Sequence, residues 1–176
     1  MQKLVLINEK DEVLGYETKE KCHLGKGILH RAFSIYIFNN KGELLIQQRS
    51  KFKKLWPFYW ANSCCSHPRK GEDYLKAGER RLKEELGFTC PLKFLTKFQY
   101  QASYKDIGSE NELCAILIGH YDREVNPNPE EIANWKWVDV SELKEDFKKN
   151  PESYAPWFKI GLGKILENEE QFKNLS

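Results

Sequence analysis

The sequence lacks long apolar runs. No stretch of its 176 residues approaches the roughly 20 consecutive apolar residues that cross a bilayer. The N-terminal segment MQKLVLINEKDEVLGYE has neither the apolar core nor the small-residue cleavage site of a secretory signal, and the C-terminal NLS is not a sorting tripeptide. We therefore expect a cytoplasmic protein without a membrane partner.

The sequence also lacks an excess of charge of either sign. Its 28 Lys and Arg residues stand against 26 Asp and Glu, a net charge of +2, so any attraction for anions must come from local clusters of cations. One such cluster, RSKFKK (49–54), precedes the aromatic stretch 56–60, a combination also found on stacking platforms for single-stranded nucleic acid. Because the basic set is small, we expect no nucleic-acid partner.

No internal repeat, low-complexity tract or linker interrupts the chain. Its length is that of one domain and suffices to bury a hydrophobic core. Apolar residues make up 40% and charged residues 31%, a composition typical of a folded domain rather than a disordered chain. We predict a single domain over residues 1–176, present as a monomer or weak dimer.

Five cysteines without a secretory signal argue against a disulfide framework, since the cytosol keeps thiols reduced. Cys64 and Cys65 are sequence neighbours, and a bond between them would be strained. Three interpretations of this pair remain: core packing, catalysis, and a structural zinc site. The zinc site would use Cys64, Cys65, His67 and Cys114.

Alternating apolar residues and turn signals predict a chain dominated by strands. The predicted strands are 3–9, 12–18, 30–38, 43–49, 97–104, 112–123 and 135–139. The first two flank the turn EKDE and the next two flank NNKG, so each pair predicts a hairpin. Helices are predicted at 72–86, 141–149 and 156–167. The fold class is α+β: a mixed sheet flanked by helices, an α/β/α sandwich, with an N-terminal β-hairpin extension.

The helix at 72–86 carries a cluster of charge. Arg81 lies three and four residues before Glu84 and Glu85, so these side chains share one side of the helix; such a cluster is commonly a solvated face with ion pairs. The pattern E-x7-R-x-L-x-E-E-L-G-F from Glu72 to Phe88 resembles the Nudix box, which holds a divalent cation against a diphosphate. The box arginine is followed by Arg81 where a hydrolase has glutamate, and Ser66 replaces the opening glycine. The resemblance therefore implies a Nudix-like fold, with hydrolysis as the alternative function.

Two carboxylates share one face of a strand in the segment ENELC. Glu110 and Glu112 are two residues apart, which places them about 6–7 Å apart on the same side. They would repel each other unless a cation or a shared proton lay between them. An exposed strand end with both acids in water is the alternative.

Three of the four histidines, His23, His30 and His67, lie in the first 67 residues. With the Glu110 and Glu112 pair they would form a set of three nitrogens and two oxygens. That count suits an octahedral Mg²⁺ or Mn²⁺, and Zn²⁺ is also compatible. Each histidine taken alone is more often a surface or core residue than a ligand.

Together the motifs resemble one family, the type I isopentenyl diphosphate:dimethylallyl diphosphate isomerases of isoprenoid biosynthesis. The matching stretches occur in the family's order and are H-x6-H with RAFS (23–34), KKLWP (53–57), WANSCCSHP (60–68), RRLKEELG (80–87), FQYQASY (98–104), ENELC (110–114) and APW (155–157). The pair NSCCSHP and ENE is the specific part; neither H-x6-H nor EELG would identify the family alone.

The resemblance implies roles for individual residues. It implies a catalytic thiol at Cys65 beside a packing residue, Cys64, and proton transfer by Glu112 assisted by Tyr100. The divalent cation would be held by His23, His30, His67, Glu110 and Glu112. A Mg²⁺ that arrives with the substrate would bind Glu85. The substrate diphosphate would be bound by Lys19, Arg49, Lys53 and Arg81.

The implied reaction moves a double bond by one carbon through a tertiary carbocation. An alkene is a very weak base, so the acid must be strong, aimed and shielded from water. The cation must be stabilised without being captured, which favours an aromatic face over a lysine or carboxylate. The implied candidates are Trp157 and Trp60.

Overall fold

The computed structural model describes residues 2–168. The strands in this range are β1 (Lys3–Ile7), β2 (Val13–Thr18), β3 (His30–Phe38), β4 (Leu44–Arg49), β5 (Trp60–Ala61), β6 (Cys64–Ser66), β7 (Leu92–Tyr104), β8 (Gly108–His120) and β9 (Ile132–Val138). The helices are α1 (Lys19–Cys22), α2 (Tyr74–Leu86), α3 (Val140–Lys149) and α4 (Pro156–Glu167), with a 3-10 turn at Pro151–Ser153.

Strand β3 is the centre of the sheet. It runs antiparallel to β1 and β6 and parallel to β8, and β8 continues into an antiparallel ladder with β7. Strand β4 pairs antiparallel with β3 at Phe38↔Leu44 and also pairs with β5 and β9. The apolar run of β3 is buried on both faces, as expected for a strand with neighbours on each side and helices above and below.

Two apolar cores lie on the two faces of the sheet. One is formed with α2 and includes Leu82, Leu86 and Phe33. The other is formed with α3 and α4 and includes Leu143, Trp157 and Phe158. The predicted α/β/α arrangement is therefore confirmed.

Local signals fix the ends of α2. The Asp73 carboxylate caps its first turn by accepting from the Lys76 N–H at 2.9 Å. The helix ends at Gly87, which adopts the left-handed conformation with φ 78°. A β-carbon at Gly87 would lie 2.6 Å from the Asn126 carbonyl oxygen, so this position excludes any larger residue.

The N-terminal hairpin is present as predicted, and its turn is tied to the sheet. The Asp11 carboxylate accepts from Arg31 and from Lys97, each at 2.6 Å. The short helix α1, which the sequence did not predict, follows directly and brings Lys19 and His23 toward β3. The hairpin therefore delivers part of the functional site.

The predicted boundaries differ from the structure mainly at β7 and β8. Both strands are longer at their N-terminal ends than predicted, because they pair from Leu92↔Gly119 to Tyr104↔Gly108, with one register shift between Phe94 and Thr96. Strand β8 ends at His120 rather than at 123. Across residues 2–168 no helix combines the length and apolarity that a membrane crossing requires.

Candidate active site

Five potential metal ligands converge at one end of β3 and β8. His30 begins β3 and lies opposite Glu112 in the parallel ladder, and Glu110 lies two residues before Glu112 on the same face. His23 follows α1 and His67 follows β6. All five residues are buried, and one donor atom from each lies within 4.8 Å of all the others.

The hydrogen bonds of two histidines prepare them to bind a cation. His23 Nδ1 lies 2.6 Å from the Lys19 carbonyl and His30 Nδ1 lies 2.7 Å from the Ile28 carbonyl. Because a carbonyl only accepts, each Nδ1 carries the ring proton, and the Nε2 lone pair faces inward. Neither Nε2 atom has a hydrogen bond of good geometry, and neither has Glu110 Oε2. His23 Nε2 nevertheless lies 2.7 Å from Glu110 Oε2, and His30 Nε2 lies 3.5 Å from a Glu112 oxygen. Buried lone pairs that face one another fit a divalent cation.

Glu112 connects this cluster to Tyr100. The Tyr100 hydroxyl donates to Glu112 Oε2 at 2.6 Å, and His67 Nε2 lies 2.9 Å from Glu112 Oε1. Burial would raise the pKa of Glu112, but His30 and Tyr100 lower it below its usual value. Burial and the adjacent Glu112 raise the pKa of Tyr100 well above its usual value, so its proton stays on the hydroxyl.

The two neighbouring cysteines point to opposite faces of β6, as alternation along a strand requires. Cys64 is fully buried in the core under α2, whereas Cys65 packs at the edge of the other core. The structural zinc site considered above does not form: Cys65 and Cys114 both lie against Ser34 Oγ, but Cys64 points into the opposite core. Within residues 2–168 the potential metal cluster contains no cysteine.

Three side chains fix the sulfur of Cys65. Its thiol donates to Asn62 Oδ1 at 2.9 Å, Trp157 Nε1 donates to its Sγ at 3.1 Å, and Ser34 Oγ lies 3.5 Å away. Burial raises the pKa of Cys65 to about 12, although Ser34, Arg49 and Asn62 oppose the rise. Burial therefore favours the protonated thiol at Cys65.

Cys65 and Glu112 line the same cavity, whose volume is about 190 Å³. Tyr100 and Trp157 also line it, as do the predicted diphosphate-binding residues Lys19, Arg49 and Lys53. Arg49 is held by the carbonyls of Leu55 and Trp56 at 2.8 and 3.0 Å. These contacts leave one terminal nitrogen of its guanidinium free to bind an anion.

Four predicted site residues do not line the cavity. His30 is fully buried within the histidine–glutamate cluster. Trp60 packs outside it, with Lys136 Nζ 5.0 Å from its ring. Arg81 and Glu85 form an ion pair on α2 beside the cavity, and Glu85 is buried. In the same box, Arg80 holds Glu72 with two hydrogen bonds of 2.8 and 2.9 Å.

Two residues beside the site, Glu131 and Asn62, were not among those predicted from the sequence. Glu131 forms ion pairs with both Lys53 and Arg81. Burial would raise its pKa, but these two cations lower it to about 2. Asn62 is fully buried and donates to the Ile35 and Cys64 carbonyls at 3.0 Å, which aims its oxygen at Cys65. The position of Asn62 within NSCCSHP is the sequence signal that could have identified it. Glu131 follows two prolines and a second glutamate, and this context gives no signal of a function.

Comparison with known proteins agrees with this geometry. Residues 28–158 match the family model described as NUDIX domain. Among solved structures, the chain is similar to DR0079 from Deinococcus radiodurans, with a TM-score of 0.70, 22% identity and coverage of 85% of this chain and 90% of that one. It is also similar to a MutT protein from Methanosarcina mazei Go1, with a TM-score of 0.65, 17% identity and coverage of 80% and 95%. These likenesses establish the fold.

The curated relatives are more similar and cover nearly the whole chain. Isopentenyl-diphosphate Delta-isomerase 1 of Photorhabdus laumondii is 43% identical, and the match covers 96% of this chain and 97% of that protein. Isopentenyl-diphosphate Delta-isomerase of Serratia proteamaculans is 41% identical, with 94% and 92% covered. The chain has the Nudix fold and belongs to the isopentenyl-diphosphate Delta-isomerase family.

Proposed function

We propose that this protein converts isopentenyl diphosphate to dimethylallyl diphosphate, acting as a single domain in cytoplasmic isoprenoid biosynthesis. The observation that carries the proposal is the shared cavity. A thiol, Cys65, and a carboxylate, Glu112, line one small space, and cations that suit a diphosphate line it too. Moving a double bond by one carbon requires a proton donor at the terminal alkene carbon and a proton acceptor at the allylic carbon, on the two sides of the cationic centre. The names of the relatives that match nearly the full chain support the same reaction.

The diphosphate serves as a handle for the substrate. Lys19, Arg49 and Lys53 are within reach of the cavity, and charge-assisted hydrogen bonds to phosphate oxygens are strong and directional. A substrate bound through its diphosphate to these cations shares the cavity with Cys65 and Glu112. Arg81 extends this set from α2.

The five-residue cluster supports a resident divalent cation. His23, His30, His67, Glu110 and Glu112 would hold it, and three nitrogens with two oxygens favour Mg²⁺ or Mn²⁺ while remaining compatible with Zn²⁺. A cation bound there supplies positive charge that makes the Glu112 carboxyl group more acidic. Glu85 is the proposed ligand of a Mg²⁺ that accompanies the substrate diphosphate.

Proton transfer is assigned to Cys65, Glu112 and Tyr100. The Tyr100 hydroxyl orients one oxygen of Glu112, and Asn62 and Trp157 orient the sulfur of Cys65. Each reacting atom is thus held in place before substrate arrives, which lowers the entropic cost of the reaction. One group delivers a proton to the alkene and the other removes a proton from the neighbouring carbon.

Trp157 is the proposed stabiliser of the carbocation. It is buried and lines the cavity, and the face of an indole ring attracts a cation without reacting with it. The ring already attracts a cation in the substrate-free protein, because the Arg49 guanidinium carbon lies 5.2 Å from its centroid. Trp60 was predicted to share this role, but its position outside the cavity favours Trp157 alone.

Hydrolysis of a diphosphate is the competing function. It requires a helix carboxylate where this chain has Arg81, and Glu84 and Glu85 are both paired with that arginine. An ion-paired carboxylate is a poor base for activating water. The thiol beside the cavity has no part in hydrolysis, so the arrangement favours isomerisation.

The decisive experiment incubates the protein with isopentenyl diphosphate, Mg²⁺ and deuterated water. We expect dimethylallyl diphosphate that carries deuterium from solvent, with no release of phosphate. Release of phosphate or of an isoprenoid monophosphate would establish hydrolysis instead. Unchanged substrate, from protein whose cation content has been verified, would contradict both functions.

A further inference from the structure

Glu131 lies where the diphosphate-binding cations meet helix α2. Its carboxylate binds Lys53, which lines the cavity, and Arg81, which lies on α2. Two of the four cations assigned to the diphosphate are therefore already bound by an anion in the substrate-free protein. The side chain of Glu131 is 24% exposed and that of Lys53 is 18% exposed, so water screens this pair only in part.

The backbone around Glu131 fixes the position of its carboxylate. The Ser50 N–H donates to the Glu131 carbonyl at 3.0 Å, which ties Glu131 to the loop that carries Lys53. The Asn128 N–H donates to the Glu85 carbonyl at 2.8 Å, and the Glu131 N–H donates to the Asn128 carbonyl at 3.0 Å. Glu131 is thus attached to both sides of the cation cluster and has little freedom to leave it.

Arg81 and Lys53 differ in how many N–H donors remain free of carboxylates and available to a diphosphate. A guanidinium has five N–H donors. In Arg81, Nε binds Glu85, one N–H of Nη1 binds Glu84, and the two N–H groups of Nη2 bind Glu85 and Glu131. Only one N–H donor is left for a diphosphate, so Arg81 mainly binds carboxylates. Lys53 has three donors on a flexible stem, which makes its contact with Glu131 the one that can be exchanged.

We propose that Glu131 is a positioning residue that occupies Lys53 in the place of the diphosphate and gives it up when the diphosphate binds. This inference depends on the proposed function, because it takes Lys53 to be a diphosphate ligand. The carboxylate keeps Lys53 directed at the site, and it makes the empty site less attractive to anions. A diphosphate that also contacts Lys19 and Arg49 has the charge to replace one carboxylate.

The exchange predicts tighter binding of inorganic diphosphate when the charge of Glu131 is removed, a change that a damaged structure would not produce. Replacing Glu131 by Gln keeps the shape of the side chain and removes the competing charge. We expect Glu131→Gln to lower the inhibition constant of inorganic diphosphate against isopentenyl diphosphate by about fivefold, the size of one partly screened ion pair. A purely structural role would raise that constant, and an unchanged or raised constant in a folded variant overturns the inference.

Two matched variants isolate the charge at position 131. Glu131→Asp keeps the carboxylate, and we expect its inhibition constant to stay within about twofold of the wild-type value. Glu130→Gln removes a neighbouring exposed carboxylate that contacts neither cation, and the same result is expected. If Glu130→Gln tightened binding as much as Glu131→Gln, a general change in net charge would explain the effect and the inference would be wrong.

A structure of the wild-type protein with inorganic diphosphate tests the exchange without relying on a variant. We expect Lys53 Nζ to contact the diphosphate and to lie beyond hydrogen-bond distance from Glu131, while Arg81 stays bound to Glu131. Retention of the Lys53–Glu131 pair beside a bound diphosphate would overturn the exchange. If inorganic diphosphate did not compete with isopentenyl diphosphate in the wild-type protein, the proposed diphosphate site itself would fail, and the inference with it.

Discussion

The histidine–glutamate cluster and the charged face of α2 use similar residues in opposite ways. In the cluster, His23, His30 and Glu110 keep buried atoms without hydrogen-bond partners. On α2, the carboxylates of Glu84 and Glu85 are each bound by Arg81. A group of buried lone pairs is stable only with a cation, whereas a paired carboxylate is already neutralised. The comparison indicates that the site for a resident cation lies near the start of β8. Helix α2 contributes Arg81 and the proposed ligand of the substrate's Mg²⁺, Glu85, which is bound to Arg81.

The largest expected effect is that of replacing Cys65, which lies beside the cluster. Because Cys65 is assigned a proton transfer, Cys65→Ser should lower kcat by about 10²–10⁴-fold while the protein stays folded. Steady-state assays and circular dichroism measure the two outcomes. Cys64→Ser is the matched control, since Cys64 points into the opposite core, and its kcat should stay within about threefold of the wild-type value. Equal loss of fold in both variants would support a structural role for the pair.

A smaller loss of activity is expected at Tyr100. The hydrogen bond from its hydroxyl to Glu112 is 2.6 Å long, and a hydrogen bond to a charged group contributes about 1.5–3 kcal/mol. Tyr100→Phe should therefore lower kcat by about 10- to 100-fold and leave the KM for isopentenyl diphosphate nearly unchanged. The control is Tyr104→Phe, because the Tyr104 ring packs on Trp56 and Tyr59. A rise in KM alone would assign Tyr100 to substrate binding.

The Glu131 carboxylate, which binds Arg81 on α2, should also contribute to stability. The pKa of Glu131 is about 2 in the folded protein, below its value near 4.3 in an unfolded chain. A lowered pKa stabilises the fold above the unfolded value, and this stability is lost as the pH falls from about 4.3 toward 2. Allowing for partial exposure, the contribution is about 1–2 kcal/mol.

Chemical denaturation between pH 2 and pH 6 measures this contribution. In Glu131→Gln the loss of stability toward low pH should be smaller than in the wild-type protein, and Glu130→Gln should follow the wild-type curve. If the two variants and the wild-type protein lost stability in parallel, the low pKa of Glu131 would be wrong.

The same comparison shows which parts of the site a sequence can predict. Glu110 and Glu112 were predicted to share a face because the side chains of a strand alternate with a period of two, and the structure places them so. His67 was already a candidate partner of this pair from the count of nitrogen and oxygen donors, whereas Cys65 was assigned its catalytic role only through the family resemblance. The residue-to-residue register of β3 with β8 joins segments 82 positions apart, from His30 to Glu112, and no local pattern specifies it.

Glu131 could not be predicted because its role depends on tertiary contacts alone. It follows a loop and contacts Lys53 and Arg81, which are 78 and 50 residues away in the chain. Trp60, in contrast, was predicted for the site and does not line the cavity. The family resemblance implied a role for Trp60 at the carbocation, but pairing of β5 with β4 places it beside Lys136 and outside the cavity lining. Composition and spacing identify candidate residues, and packing decides which of them meet.

The smallest expected effect separates the stability of α2 from the chemistry of the cluster. The Asp73 carboxylate accepts from the Lys76 N–H at 2.9 Å and caps the helix, a contact that contributes about 1 kcal/mol. Asp73→Ala should therefore lower the free energy of unfolding by about 1 kcal/mol, and Asp73→Ser, which retains a capping oxygen, should restore most of it. Because Asp73 contacts no residue of the cavity, kcat and KM should not change in either variant at temperatures where both are folded. A fall in kcat in folded Asp73→Ala would mean that the start of α2 communicates with the reacting groups, and the division between a chemical cluster and a supporting helix would then be wrong.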